Sequence, residues 1–507
     1  MMEPNRERER QREGETERGK ESEMRLQLSV PPSLESGGML SDPYVAVTSL
    51  PSPTYPAESA RGGQVAQALD RLVKELRWSE GASEPFSPFG GIIPRGARVL
   101  VKPNLVLHEN EGPWGIEPLV THLSLIRAVV EGVLRAEPSE VLIGDAPLQG
   151  CNFELLLSAT GLGPWADQMM KLKPEFKGIR DFRRTTCVFV NGVRLADESR
   201  QSEERFVLFD LGCNSLLEPV ADDRGSFRVT CYDPRLLART HAPGRHQYLV
   251  AKEVVDADVI VNLPKLKTHK KAGITCALKN LIGINGNKEY LPHHRIGGSL
   301  TGGDCYPNAN VIKRALEYTS DRENMTSSFA VARAWHGVGR QFQRALSVMG
   351  DQLGIEGSWS GNDTIWRTCL DLNRILLYGR TNGTLADRPQ RRVLHVVDAV
   401  VAGQGDGPLS PRPLPLGLIL AGENAAAVDW VAAHLLGYDP ERVSIVREAF
   451  GNFQWPIASF APDRVALLGD WKTGSADQVF REQENPTPVI HPIGWRNAAR
   501  PVSGNYM

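Results

Sequence analysis

The chain holds little on which a named chemistry could rest. Its seven cysteines, Cys151, Cys187, Cys213, Cys231, Cys276, Cys305 and Cys369, are odd in number, widely scattered and free of CxxC spacing. That pattern argues against a disulfide framework, a zinc site and an iron–sulfur cluster, and reads as reduced, mostly buried thiols in a cytoplasm. No apolar run approaches the roughly 18 to 20 residues of a membrane span. A net charge of −2 argues against wholesale nucleic-acid binding, which needs a basic domain or stripe, so recognition of any phosphate has to be local. A GxSxG elbow, an HExxH helix and a Walker lysine loop are all missing, which sets aside the familiar hydrolases, zincins and P-loop enzymes.

What remains is an ordinary globular composition, 41% hydrophobic and 23% charged over 507 residues, long enough for one large α/β domain with insertions. Residues 1–24 hold eight acids and six bases without an aliphatic run, so a disordered tail is expected to residue 38, with Met24 and Met39 as alternative starts. From Pro43 the pattern alternates. A strand at 43–50 precedes a helix carrying Val65, Leu69, Leu72, Val73 and Leu76 at helical spacing. Strand ARVLVKP, a helix over 119–136 and strand SEVLIGD follow. Runs of Val, Leu and Ile without polar alternation predict strands covered on both faces, hence an α/β fold with a mostly parallel sheet flanked by helices.

The expected organisation is an α/β domain begun by 39–170, interrupted by a β-rich insertion over 171–246 and resumed over 247–290. A helical insertion over 291–390 then precedes the C-terminal part, 391–507. Within the helical insertion, Phe329, Trp335, Val338, Phe342 and Leu346 recur at near-helical intervals and are expected to be core.

The densest chemistry is NLPKLKTHKKAGITCALKNLIG, residues 262–283, which follows the apolar run VIV. Lys265, Lys267, Lys270, Lys271 and Lys279, with Thr268, Thr275 and Asn280, form an anion site by composition, because ammonium and hydroxyl groups satisfy anionic oxygens. Interleaved Leu266, Ile274, Ala277 and Leu278 argue for ordered packing over a solvated basic loop. Other strand ends carry Lys102, Asn104 and His108, then Asp145, Asp398, Glu423 and Asn424. Ligands of parallel α/β sheets bind beyond the carboxyl ends of strands, so these ends are expected to converge on one crevice, although Asp and Asn there also serve as helix caps. His269, His293 and His294 are candidate proton carriers, since neighbouring lysines favour the neutral imidazole; surface or structural histidines are the alternative. In DAVVAGQGDGPL, Gly403, Gly405 and Gly407 permit close backbone approach, and the stretch is expected to be a loop that brings Asp398 and Asp406 to a divalent cation or a substrate hydroxyl, with a plain Gly-rich turn as the alternative. Asp429, within AAAVDWVAAHLL, is expected to hydrogen-bond a nearby loop.

The segments VLVKPNLV, VLIGDAP, the lysine stretch and VVDAVVAGQGDGPL running into GLILAGENAAAVDWVAAHLLGYDP, in this order and spacing, resemble the family known as domain of unknown function 362. With flanking strands the resemblance spans roughly residues 44 to 470. It implies a fold and one shared site, without a reaction, and similarity to members that lack a ferredoxin-like iron–sulfur segment. It also carries an association with surface-polysaccharide assembly. The resulting expectation is an enzyme acting by acid/base chemistry on a small phosphorylated or carboxylated molecule, with Asp145, Asp398 and His269, His293 or His294 catalytic. A non-catalytic protein that binds an anionic ligand or assembles on it is the alternative.

Overall fold

The computed structural model describes residues 38–55, 63–81, 86–308, 310–483 and 486–500. The expected tail lies outside the described residues, apart from Gly38. From Met39 onward the chain forms one compact unit. No helix among the described residues is long and apolar enough to cross a membrane.

An 11-stranded mixed sheet organises the molecule. Numbered along the chain, its strands are β1 (Tyr44–Ser49), β2 (Arg98–Pro103), β3 (Glu140–Asp145), β4 (Phe176–Asp181), β5 (Val259–Leu263), β6 (Lys265–His269), β7 (Gly273–Thr275), β8 (Arg392–Asp406), β9 (Ser410–Gly422), β10 (Ala466–Leu468) and β11 (Gly474–Ser475). Their order is β11-β10-β1-β9-β8-β5-β2-β3-β4, with β6 paired to β8 and β7. The run β8-β5-β2-β3-β4 is parallel, whereas β9 is antiparallel to both β8 and β1.

Alternation along the central strands explains the two-sided core. Val99, Val101, Val141, Ile143, Val259 and Val261 face one apolar cluster; Leu100, Leu142, Ile260, Val393 and Val397 face the other. Helices α1 (Gln64–Glu75) and α2 (Leu123–Leu134) bury their apolar stripes in the first. On the second side lie α3 (Ala277–Asn280), α6 (Ile365–Tyr378) and α7 (Ala425–Leu435). α7 is buried along its whole length and α6 at every residue but Arg367. The expected mostly parallel sheet covered by helices is what the chain forms.

Helices α4 (Val311–Met325) and α5 (Phe329–Val348) pack on each other at the periphery. The expectation that the aromatics of α5 are core fails here. Phe329, Trp335 and Phe342 are only half-buried and Val338 is exposed, because α5 lies at the periphery, packed chiefly on α4 and on the strand Val193–Arg200. The Gly-rich stretch also departs from the expected loop: β8 runs unbroken through Asp406 and turns into β9 at residues 407–409. The glycines make room for β6. A Cβ at Gly403 would stand 2.7 Å from Lys267 Cβ, and one at Gly407 would stand 2.0 Å from the Thr268 carbonyl oxygen.

Candidate anion-binding site

The parallel register fixes the first group. Lys102 and His395 both pair with Asn262 across β2-β5-β8, so three polar side chains enter the apolar face beneath α3. Asn262 donates through Nδ2 to the Ala277 carbonyl at 3.0 Å and lies 3.1 Å from His395 Nδ1. Asn280 of α3 donates to Asn262 Oδ1 at 2.7 Å, and Lys102 Nζ donates to Asn280 Oδ1 at 3.3 Å. Asp145 closes the network, accepting from Lys102 Nζ at 2.7 Å and from the Leu105 N–H at 2.7 Å. Burial pushes Asp145 up and Lys102 down, and each relieves the other. Gly283 is required beside them, because a Cβ there would stand 2.0 Å from Asp145 Oδ1.

Lys265 and Asp398 form a second closed group. Their Nζ–Oδ2 distance is 3.0 Å with both side chains fully buried. Tyr55 donates its hydroxyl to Asp398 Oδ1 at 2.6 Å and accepts from Lys265 Nζ at 2.5 Å. The His122 N–H donates to Asp398 Oδ2 at 2.8 Å, and the Tyr55 and His122 rings stack at 3.7 Å. Asp398 therefore has no oxygen left for a cation. Asp406 lies eight residues further along the same strand, about 26 Å away at ~3.3 Å per residue, at the exposed hairpin end. The two aspartates are not brought together, and no cluster of three or more metal-ligating side chains occurs among the described residues.

The third group is the one in which Lys267 and Lys279 are left without a paired carboxylate. Lys267, Thr275 and His269 share one face of the β6–β7 pair, with Lys267 opposite Thr275 and His269 opposite Gly273. Lys267 Nζ finds only neutral acceptors, Asn104 Oδ1 at 2.9 Å and the Leu119 carbonyl. Lys279 makes no side-chain hydrogen bond or ion pair among the described residues. The Thr275 hydroxyl, His293 Nδ1 and His294 Nδ1 are buried and likewise unpartnered. Lys271 reaches Thr230 Oγ1 at 2.6 Å and Glu356 at 3.6 Å. Thr268 instead donates to the Gly405 carbonyl at 2.8 Å, as packing.

The histidines belong to this third group. His269 Nδ1 accepts from the Lys271 and Ala272 N–H groups at 3.0 and 3.1 Å, which puts the ring proton on Nε2. Burial first, then Lys279, Lys271, His293 and Lys267, hold His269 well below its ordinary value. Burial and the charges of Lys271 and Lys279 do the same to His293, and burial with Lys271 and Arg228 to His294. Burial, then Lys265 and Lys279, hold Lys267 well down; burial and Lys271 lower Lys279.

Other expected residues serve structure. His108 accepts from the Asn152 N–H at 3.2 Å. Glu423 lies 3.6 Å from Arg392, and Asn424 caps α7 through the N–H groups of Ala426 and Ala427. Asp429 accepts from the Ala277 and Leu278 N–H groups at 2.6 and 3.1 Å, which holds α3 in place. Tyr55, His122, His395 and Lys288 were not expected. Lys288 donates to the Thr230 carbonyl at 3.1 Å, close to Lys271. Asn262 and His395 carried a signal, a polar residue within an otherwise apolar strand; Tyr55 carried none.

Residues 193–434 match the family described as Domain of unknown function (DUF362), which bears out the resemblance read from the sequence over that span. The match includes the lysine segment and Asp398, and leaves out Lys102, Asn104 and Asp145. A thylakoid-associated protein of Synechocystis sp. is 26% identical over 200 residues, 39% of this chain and 43% of that protein, so less than half of the relative is covered. Among solved structures, a structural-genomics protein of Thermotoga maritima aligns at 11% identity and a TM-score of 0.30, over 75% of this chain and 60% of that one. Apo-lactate racemase of Thermoanaerobacterium thermosaccharolyticum aligns at 11% and 0.26, over 72% and 55%.

Proposed function

We propose that the chain binds the phosphate or carboxylate of a small molecule at Lys267, Lys271, Lys279 and Thr275, and that neutral His269, His293 or His294 moves a proton on that ligand. One observation carries the reading: fully buried Lys267, half-buried Lys279, the buried Thr275 hydroxyl and the unpartnered Nδ1 atoms of two imidazoles come together, and neither lysine is hydrogen-bonded or ion-paired to a carboxylate among the described residues. Buried cations without counter-charge are costly, and an anion removes that cost while accepting hydrogen bonds from every unpartnered donor. Asn104 positions Lys267, Asn280 holds Lys102, and the ion pairs of Lys102 and Lys265 frame the site without entering it.

Asp145 and Asp398 are taken up by lysines, which deprives the site of a free general acid and favours a second reading, anion binding without turnover. Nothing in the donor set selects a sugar, so a surface-polysaccharide link is not part of the proposal.

An arriving anion raises the depressed lysine and histidine pKa values, so binding draws protons from the buffer. Calorimetric titration of inorganic phosphate at pH 7, in two buffers of different ionisation enthalpy, should show net proton uptake. Binding without proton exchange would contradict the interior location.

A further inference from the structure

A cleft of about 770 Å³ opens beside the interior cluster, lined among others by Trp114, Lys270, Arg340, Arg412 and Arg496. These come from five separate segments: the loop after β2, the β6–β7 turn, α5, β9 and the 3-10 turn Ile493–Ala498. None of the four cations makes a side-chain hydrogen bond or ion pair among the described residues; Arg412 only lies over the Trp114 ring at 5.8 Å. Of the acids on the same walls, Glu323 is held by His336 at 3.1 Å and Glu356 by Lys271 at 3.6 Å, which leaves Asp406. A concave wall with this excess of one sign concentrates counter-ions.

A chamber of about 70 Å³ adjoins the cleft, and Cys231, Ser320, Asn324 and Glu356 belong to the walls of both. Thr230 and His294 also line the chamber. Thr230 accepts the hydrogen bond of Lys271, and His294 Nδ1 is buried without a partner. The chamber thus leads from the cleft to His294 and, through Thr230, towards Lys271; its own acids Glu317, Asp321 and Glu356 are engaged by Tyr306, Arg228 and Lys271.

We propose that cleft and chamber together hold one elongated organic molecule with an anionic group at each end. One end passes inward to His294, Lys271 and Lys279; the other meets Arg340, Arg412 and Arg496, whose planar guanidinium groups suit bidentate pairing with phosphate or carboxylate. The cleft volume falls in the range of small-molecule sites. This inference rests on the anion site proposed above and adds the substrate class.

The test is calorimetric binding of inorganic phosphate and of a hexose bisphosphate to the full chain. Three proteins are compared: wild type, the triple variant Arg340→Gln/Arg412→Gln/Arg496→Gln, and Lys279→Met. Wild type should bind the bisphosphate at least about tenfold more tightly than phosphate. The triple variant, altered only at exposed side chains, should lose that advantage and keep its phosphate affinity; Lys279→Met should weaken both ligands. A wild type without the advantage, or a triple variant that retains it, overturns the two-ended ligand and leaves the interior site standing. Phosphate binding that Lys279→Met does not weaken overturns the interior site itself.

Discussion

At the scale of single residues, the distinction that matters is between lysines that have a carboxylate and lysines that do not. Lys102 and Lys265 are locked to Asp145 and Asp398. Removing one partner of such a pair typically costs about 3 to 5 kcal/mol, because the other charge stays buried. Asp145→Asn is expected to lose stability on that scale in urea unfolding; a loss below about 1 kcal/mol would show that the pair is solvated. Asp429→Asn is expected to cost about 1 to 3 kcal/mol through the backbone N–H groups of α3 and to leave phosphate affinity unchanged. Abolished binding at unchanged stability would instead move Asp429 into the site. The lysines were legible because each followed an apolar strand. Which of them would be neutralised was not, since the partners are set by the order β8-β5-β2-β3 and by Tyr55, from a loop without pattern.

At the scale of elements, β2, β3 and β5 and the helices α1, α2, α6 and α7 were readable, because unbroken Val, Leu and Ile runs and helical periodicity each imply burial on known faces. Two readings failed where a tertiary neighbour decided the outcome. The GQGDG stretch has the composition of a loop yet continues β8, since glycine lets β6 lie against it. The apolar positions of α5 have the spacing of a core helix yet stay largely half-exposed, because the helix lies at the periphery against α4 and the strand Val193–Arg200. The same close approach makes a test at Gly283, whose added Cβ would press on Asp145 Oδ1 and Lys102 Nζ at 2.0 and 2.8 Å. Gly283→Ala should destabilise by about 1 to 3 kcal/mol, the usual cost of overpacking, read from the urea midpoint. An unaffected midpoint would mean that α3 and β2 are less tightly joined than described.

At the scale of the molecule, buried bases outnumber buried acids in controlling the response to pH. Burial and neighbouring cations hold His269, His293 and His294 well below their ordinary value, and burial takes His395 to about 3 and His122 to about 4. The unfolded chain binds protons at these groups as pH falls through ~6.5 while the folded chain does not. Their contribution is therefore present above that pH and lost below it. Asp42 and Asp429, raised to about 7 by burial, act in the opposite sense: the folded chain takes up their protons first, so their penalty fades as pH falls below 7. Among the described residues nine histidines are held down and eight carboxyls held up, Asp145, Asp304 and Glu317 included, and the excess of histidines gives a small net loss of stability from pH 7 to pH 5, measurable by urea unfolding at each pH. A flat or rising profile would mean that the interior imidazoles are hydrated.

The central claim is that an anion completes the interior cation cluster, and it is tested most directly by calorimetric titration of inorganic phosphate at pH 7. The proteins are the wild type, Lys279→Met and Lys171→Met, each verified as folded by circular dichroism. Losing a charged partner of a buried anion costs about 2 to 5 kcal/mol, and each ~1.4 kcal/mol is a factor of ten in affinity. Lys279→Met should therefore bind about a hundredfold more weakly than wild type or worse, while Lys171→Met, on an exposed helix end, should match wild type. Equal binding by all three proteins would contradict the account.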